Sequence, residues 1–171
     1  SVLYFNSTRE LNQSNTLIEN NIRNTLRRYY DRLNISSKNE KKKHIRRYLY
    51  SDKGKVELTS RETESNLTKY FQRLQQNKII GTDDKEVKMS GGSVVDICLA
   101  TNMIQVGIDI SRLNIMIING QPKTTSEYIQ ASSRVGRSKS DLGLVFTIYN
   151  TSKSRDRSHF ERFDHYHSSI Y

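Results

Sequence analysis

A chain of 171 residues with 34% hydrophobic content is long enough for one domain with a buried core, and no apolar run approaches the ~18 residues of a membrane span. Its 28 basic and 18 acidic residues leave a net charge of +10, which favours a polyanionic partner, nucleic acid ahead of an acidic membrane surface. One cysteine, Cys98, lies in the middle of an apolar run, which excludes an intrachain disulfide and reads as a buried, inert thiol. With neither an initiator Met nor a signal segment, the sequence reads as a piece of a larger cytoplasmic protein.

In chain order, residues 2–6 form an apolar strand followed at once by Ser7, Thr8, Arg9 and Glu10. A hydroxyl with Glu three residues later is a capping box, so a helix starts there. Leu11, Ile18, Ile22, Tyr29 and Leu33 keep an approximate helical spacing, weakened by Asn12, Asn15, Asn20 and Asn21, which predicts one long or broken helix to about residue 33. From Arg23 to Arg47 ten Lys or Arg residues stand against only Asp31 and Glu40, a density that suits a nucleic-acid patch and a solvated insertion equally well. Residues 55–60 alternate polar and apolar as a second strand. They end in Thr59, Ser60, Arg61 and Glu62, a second capping box, ahead of a helix over 66–76 with Leu67, Tyr70, Phe71 and Leu74 on one face.

Residues 78–92 are polar and read as a loop or hairpin, and strands follow at 94–100 and 114–119. Pro122 stands where the next helix is about to begin, and Thr124 with Glu127 caps that helix, which runs to about residue 133. The last strand covers 142–149. Residues 154–171 form a polar helical tail whose Phe160, Phe163 and Tyr166 are available to dock on the sheet or on a neighbour. Strands alternating with helices, most with continuous apolar runs, predict an α/β fold with a parallel sheet covered on both faces. The domain is expected over 1–150, with polar insertions at about 12–54 and 78–92, and the tail over 151–171 leads into a further region.

In such sheets ligands bind outside the carboxyl ends of the strands. Three strand ends carry hydroxyls, two of them with Arg as well, beside helix N-termini that attract anions. Ser7, Thr8, Arg9, Thr59, Ser60, Arg61, Thr101 and Asn102 are therefore the expected contacts to a nucleic-acid backbone, with plain helix capping the alternative for each. Arg134 and Arg137, with Gly136 between them, are expected to reach the same edge. Two guanidiniums so spaced suit the charge of phosphoryl transfer, although a surface ion-pair ladder needs no more than the same residues. No Gly-x-x-x-x-Gly-Lys-Ser/Thr loop and no apolar strand ending in paired acids occurs, so the chain does not cradle a triphosphate by itself.

At these residues the sequence resembles a known family. Thr101 with Gly107, Ile108 and Asp109 is similar to motif V of superfamily-two helicases, and Gln130, Arg134, Gly136 and Arg137 are similar to motif VI. Residues 2–6 with the following Ser-Thr resemble motif IV. The order and spacing match the second RecA-like (P-loop NTPase-type) domain of those enzymes over nearly the whole chain. Within the superfamily, residues 120–137, the Leu-Thr-Ser-Arg of 58–61 and the Arg-x-x-Ser-His-Phe-Glu-Arg of 155–162 resemble the helicases of the DISARM phage-defence system.

The resemblance implies that Arg134 and Arg137 act as arginine fingers on ATP and Mg2+ held mainly by a first RecA-like domain, with Gln130 coupling the two domains. It implies Gly107 and Asp109 on the nucleotide side, Asp109 near the ribose. Thr101 and the two Ser/Thr-Arg-Glu junctions would hold one nucleic-acid strand. Val106 and Ala131 stand where many DEAD-box relatives carry Arg, which implies a DNA-translocating type rather than an RNA helicase. The implied partners are DNA, the first RecA-like domain and other defence proteins, with no membrane. The main rival is a non-catalytic nucleic-acid-binding module in which the arginines are two more phosphate contacts. A metal enzyme built on His159, Asp164, His165 and His167 lacks ligand spacing, and no Gly-x-Gly-x-x-Gly follows a strand.

Overall fold

The computed structural model describes residues 1–32, 54–75, 95–101, 110–138 and 142–168. Its strands are β1 (Val2–Phe5), β2 (Lys55–Leu58), β3 (Ile97–Ala100), β4 (Ile115–Asn119) and β5 (Leu144–Ile148). The helices are α1 (Thr8–Leu17), a π-helical turn (Ile18–Ile22), α2 (Arg23–Arg32), α3 (Glu64–Gln75), α4 (Thr125–Ser132), α5 (Ser154–Glu161) and α6 (Phe163–Ser168). The strands form one five-stranded sheet in the order β2-β3-β1-β4-β5, and every pairing is parallel. The α/β class expected from the alternation of elements is the class observed.

Strand register decides what each face buries. Val2, Tyr4, Cys98, Ala100, Met116 and Ile118 share one face and are buried against Leu74 of α3 and Ala131 of α4, with Leu67, Tyr70, Phe71 and Tyr128 packed alongside. Leu3, Phe5, Ile97 and Leu99 point the other way and meet Leu11 of α1 and Ile18 of the π-helical turn. A side-chain period of two in the strands and one apolar stripe per helix account for both layers.

The edge strand β2 reads as an alternation because its second face is polar. Val56 and Leu58 join the larger core, while Glu57 accepts from Asn15 Nδ2 at 3.1 Å and Lys55 pairs with Glu19 at 2.5 Å and with Asn15 Oδ1. These contacts fasten α1 to β2 with polar groups and explain why Asn15, which weakens the helical pattern, belongs there.

Local signals differ in how well they mark boundaries. The box at Thr124 is complete, with Thr124 Oγ1 accepting from the Glu127 N–H at 3.1 Å and Glu127 bonding back to the Thr124 N–H. At Ser7 only half of it forms: Ser7 Oγ accepts from the Glu10 N–H, but the Glu10 carboxylate pairs with Lys153. The box expected at Thr59 is not a helix cap. Glu62 N bonds the Thr59 carbonyl in a turn, and Thr63 Oγ1 caps α3 through Asn66 N at 3.4 Å. A second hydroxyl nearer the helix displaces the first. The long helix from Ser7 is broken, its halves joined by a π-helical turn that admits one extra residue per turn.

Cys98 is fully enclosed in the sheet, and burial pushes its thiol up to about 12. A maleimide or disulfide reagent should leave Cys98 unmodified in native protein at neutral pH and label it within minutes in denaturant, as mass spectrometry will report.

Candidate functional site

Two separate edges of the sheet carry the residues of interest. At the carboxyl edge β1, β2 and β3 end in Asn6 to Arg9, Thr59 to Arg61 and Thr101. Arg61 Nη2 donates to Thr8 Oγ1 at 3.4 Å, which joins the β1 and β2 junctions, and Thr101 N donates to the Leu58 carbonyl, which joins those of β3 and β2. Ser7, Arg9, Ser60 and Arg61 are exposed along this row, whereas Thr59 and Thr101 are buried beneath it. The edge thus presents two guanidiniums and two small hydroxyls beside the N-terminus of α1, a surface with the chemistry of a phosphate-backbone contact. Asn102, Gly107 and Asp109 lie outside the described residues, so motif V is represented by Thr101 alone.

Arg134 and Arg137 are not at that edge. In a parallel sheet each covering helix runs back towards the start of the next strand, so the end of α4 lies at the amino edge. Gly136 N donates to the Leu113 carbonyl at 2.9 Å, just ahead of β4. A five-residue β4 at ~3.3 Å per residue separates the two edges by roughly 16 Å, beyond the reach of one side chain. The expectation that the arginine pair reaches the carboxyl edge is corrected on this geometry. Gln130 is exposed on α4, Arg134 is half-buried, and Arg137 is exposed with its Nε donating to the Ser133 carbonyl at 3.0 Å.

Sequence reasoning missed the group that closes the other half of the carboxyl edge. Asp156 on α5 is fully buried, one oxygen accepting from the Gln121 N–H at 3.0 Å and the other from the Asn150 N–H at 2.9 Å. One carboxylate therefore ties the loops after β4 and β5. Asn6 Nδ2 donates to the Asn119 and Gly120 carbonyls at 3.2 Å, and Lys153 reaches Glu10 at 2.6 Å. Among the described residues the tail caps the β4–β5 side of this edge. Its aromatics meet other rings: Phe163 meets Tyr128 edge-on, Phe160 meets Tyr149, and Tyr166 stacks on His159 with centroids 3.9 Å apart. Among the described residues no group of His, Cys, Asp and Glu is arranged to hold a metal ion, and no helix is long and apolar enough to cross a membrane.

The sheet order, the two edges and the placement of motif VI define a RecA-like α/β domain of the helicase type. The chain belongs to the helicase conserved C-terminal domain family, whose model matches residues 2–139. It is 44% identical over 168 residues to the DISARM protein DrmA of Bacillus paralicheniformis (strain ATCC 9945a / NCIMB 11709 / CD-2), a match covering 98% of this chain and 13% of that protein. The chain thus spans about an eighth of that relative. A crystal structure of the C-terminal part of the Fun30 ATPase domain shares the fold, with a TM-score of 0.56 at 14% identity, covering 94% of this chain and 38% of that one.

Two outcomes follow for the tail. Asp156→Ala leaves the buried Gln121 N–H and the part-buried Asn150 N–H without their acceptor and should lower the unfolding free energy by about 2–3 kcal/mol in urea titrations. Burial, then the positive neighbours His167 and Arg155, hold the His159 imidazole below its ordinary 6.5, with Asp156 opposing. The unfolded chain therefore takes up this proton first as pH falls, so the stabilisation is complete above 6.5 and lost below it. The melting temperature should fall as pH drops from about 7 to about 5, and His159→Phe should flatten that dependence.

Proposed function

We propose that this chain is the second motor domain of an ATP-dependent DNA helicase or translocase acting in cytoplasmic anti-phage defence. On this reading Arg134 and Arg137 are arginine fingers, directed at a nucleotide held by a first RecA-like domain. The single observation that carries the reading is the separation of the two basic surfaces. The arginine pair lies on a turn at the amino edge, away from the row formed by Ser7, Arg9, Ser60 and Arg61 at the carboxyl edge. One domain can then touch a nucleotide and a nucleic acid at once without either occluding the other.

The division of labour follows from the residues. ATP with Mg2+ supplies the phosphoryl group whose transfer releases the energy. This domain has cations but no phosphate loop, so the fit is to the charge that develops in transfer rather than to the whole triphosphate. Arg134 and Arg137 neutralise that charge, Gln130 relays domain closure from the same helix, and Gly107 and Asp109 line the nucleotide side with Asp109 near the ribose. Ser7, Thr8, Arg9, Thr59, Ser60, Arg61, Thr101 and Asn102 grip one strand by its backbone, which suits sequence-independent movement. Alternate closure and reopening of the two domains converts turnover into a step along that strand. Other defence proteins are the expected partners of the complete protein.

ATP turnover by the full-length protein, with and without single-stranded and duplex DNA, tests this. Arg137→Ala should lower DNA-stimulated turnover by about 10³-fold or more while static DNA binding stays within about twofold. Unchanged turnover removes Arg137 from the reaction and leaves the domain as a binding platform.

A further inference from the structure

Resting on that reading of the arginines, we infer that Gly143 is a positioning residue for Arg134 and Arg137, acting through direct backbone contact with Gly136. Gly136 has a φ of +68°, and a Cβ added there would lie 2.5 Å from both Cα and N of Gly143. The contact is reciprocal: a Cβ on Gly143 would lie 2.8 Å from Gly136 Cα, 2.9 Å from its N and 3.0 Å from the Val135 carbonyl carbon. All of these are main-chain atoms, which cannot rotate aside as the end of a side chain can.

Both sides of the contact are anchored. Gly143 directly precedes β5, whose first residue donates from Leu144 N to the Asn114 carbonyl at 2.7 Å. Gly136 N donates to the adjacent Leu113 carbonyl at 2.9 Å, and Val135 is buried in the larger core. The turn that carries the arginines therefore rests on the start of β5 as on a stop, with no side chain between them.

The two glycines differ in a useful way. Gly136 needs glycine for its left-handed backbone as well as for the close approach. Gly143 does not lie in the left-handed region, so alanine there suffers only the approach. Gly143→Ala is thus a wedge that lifts the arginine turn by a few tenths of an ångström or more while leaving the β4–β5 ladder intact. Displacements of this order at a catalytic group reduce turnover steeply.

The test is carried out on the full-length protein. Gly143→Ala should lower kcat for DNA-stimulated ATP turnover about 10- to 100-fold with KM for ATP and DNA affinity unchanged. Added to the Arg134→Ala/Arg137→Ala double variant it should cause little further loss, because the groups it displaces are already gone. Additive losses, a change confined to KM, or wild-type kcat would each overturn the inference. If Arg137→Ala itself has no effect, the functional reading fails; if Arg137→Ala is inactive and Gly143→Ala is not, only the role of Gly143 fails. Should Gly143→Ala not fold, hydrogen exchange on the wild type decides: the Gly136 and Leu144 amides should be protected to a similar degree, and a rapidly exchanging Gly136 amide would overturn the contact.

Discussion

The handedness of the crossover connections governs the rest of the molecule. With strand order β2-β3-β1-β4-β5, the chain moves one way from β1 to β2 and the opposite way for every later step. Right-handed crossovers put connections in opposite directions on opposite faces of the sheet. So among the described residues α1 and the π-helical turn cover one face, while α3 and α4 cover the other. On the α1 face the core residues of the sheet come from β1 and β3. Towards β4 and β5 that face leaves Ile115, Leu144, Phe146 and Ile148 about half exposed among the described residues.

The same constraint separates the functional edges. Strands deliver their ends, with hydroxyls and helix N-termini, to one edge, and α4 must return its own end to the other. Arg61 and Arg137 are alike in chemistry but belong to opposite kinds of junction, a strand end and a helix end. Their surroundings differ because topology assigns them different neighbours, Thr8 for one and the Ser133 carbonyl for the other.

What the sequence made legible was local. Apolar runs marked four of the strands to within a few residues and alternation marked the edge strand β2; the central β1 and β3 left least ambiguity because they pack on both faces. Thr124 with Glu127 marked a helix start because both halves of the box are adjacent in the chain. The failures share one cause, a partner far away in sequence. Glu10 reads as a capping residue until Lys153 claims it, and Asp156 reads as one more tail carboxylate until Gln121 and Asn150 are brought to it. Thr59 was displaced by Thr63, a choice that depends on how far the chain turns before α3 starts. Motif VI was recognisable from Gln130 to Arg137, but its edge was not, since that depends on the direction of α4.

The position of β1 at the centre of the sheet has a consequence in time. Val2 pairs with Cys98 and with Met116, so β1 finds neither neighbour until about a hundred further residues exist. At ~5–20 residues per second this is a delay of roughly 5 to 20 s, long compared with the microseconds in which the capped α1 can form. During that interval the backbone of Val-Leu-Tyr-Phe lacks both of its parallel strand partners. Of the described strands, β1 therefore waits longest after synthesis for its ladder partners.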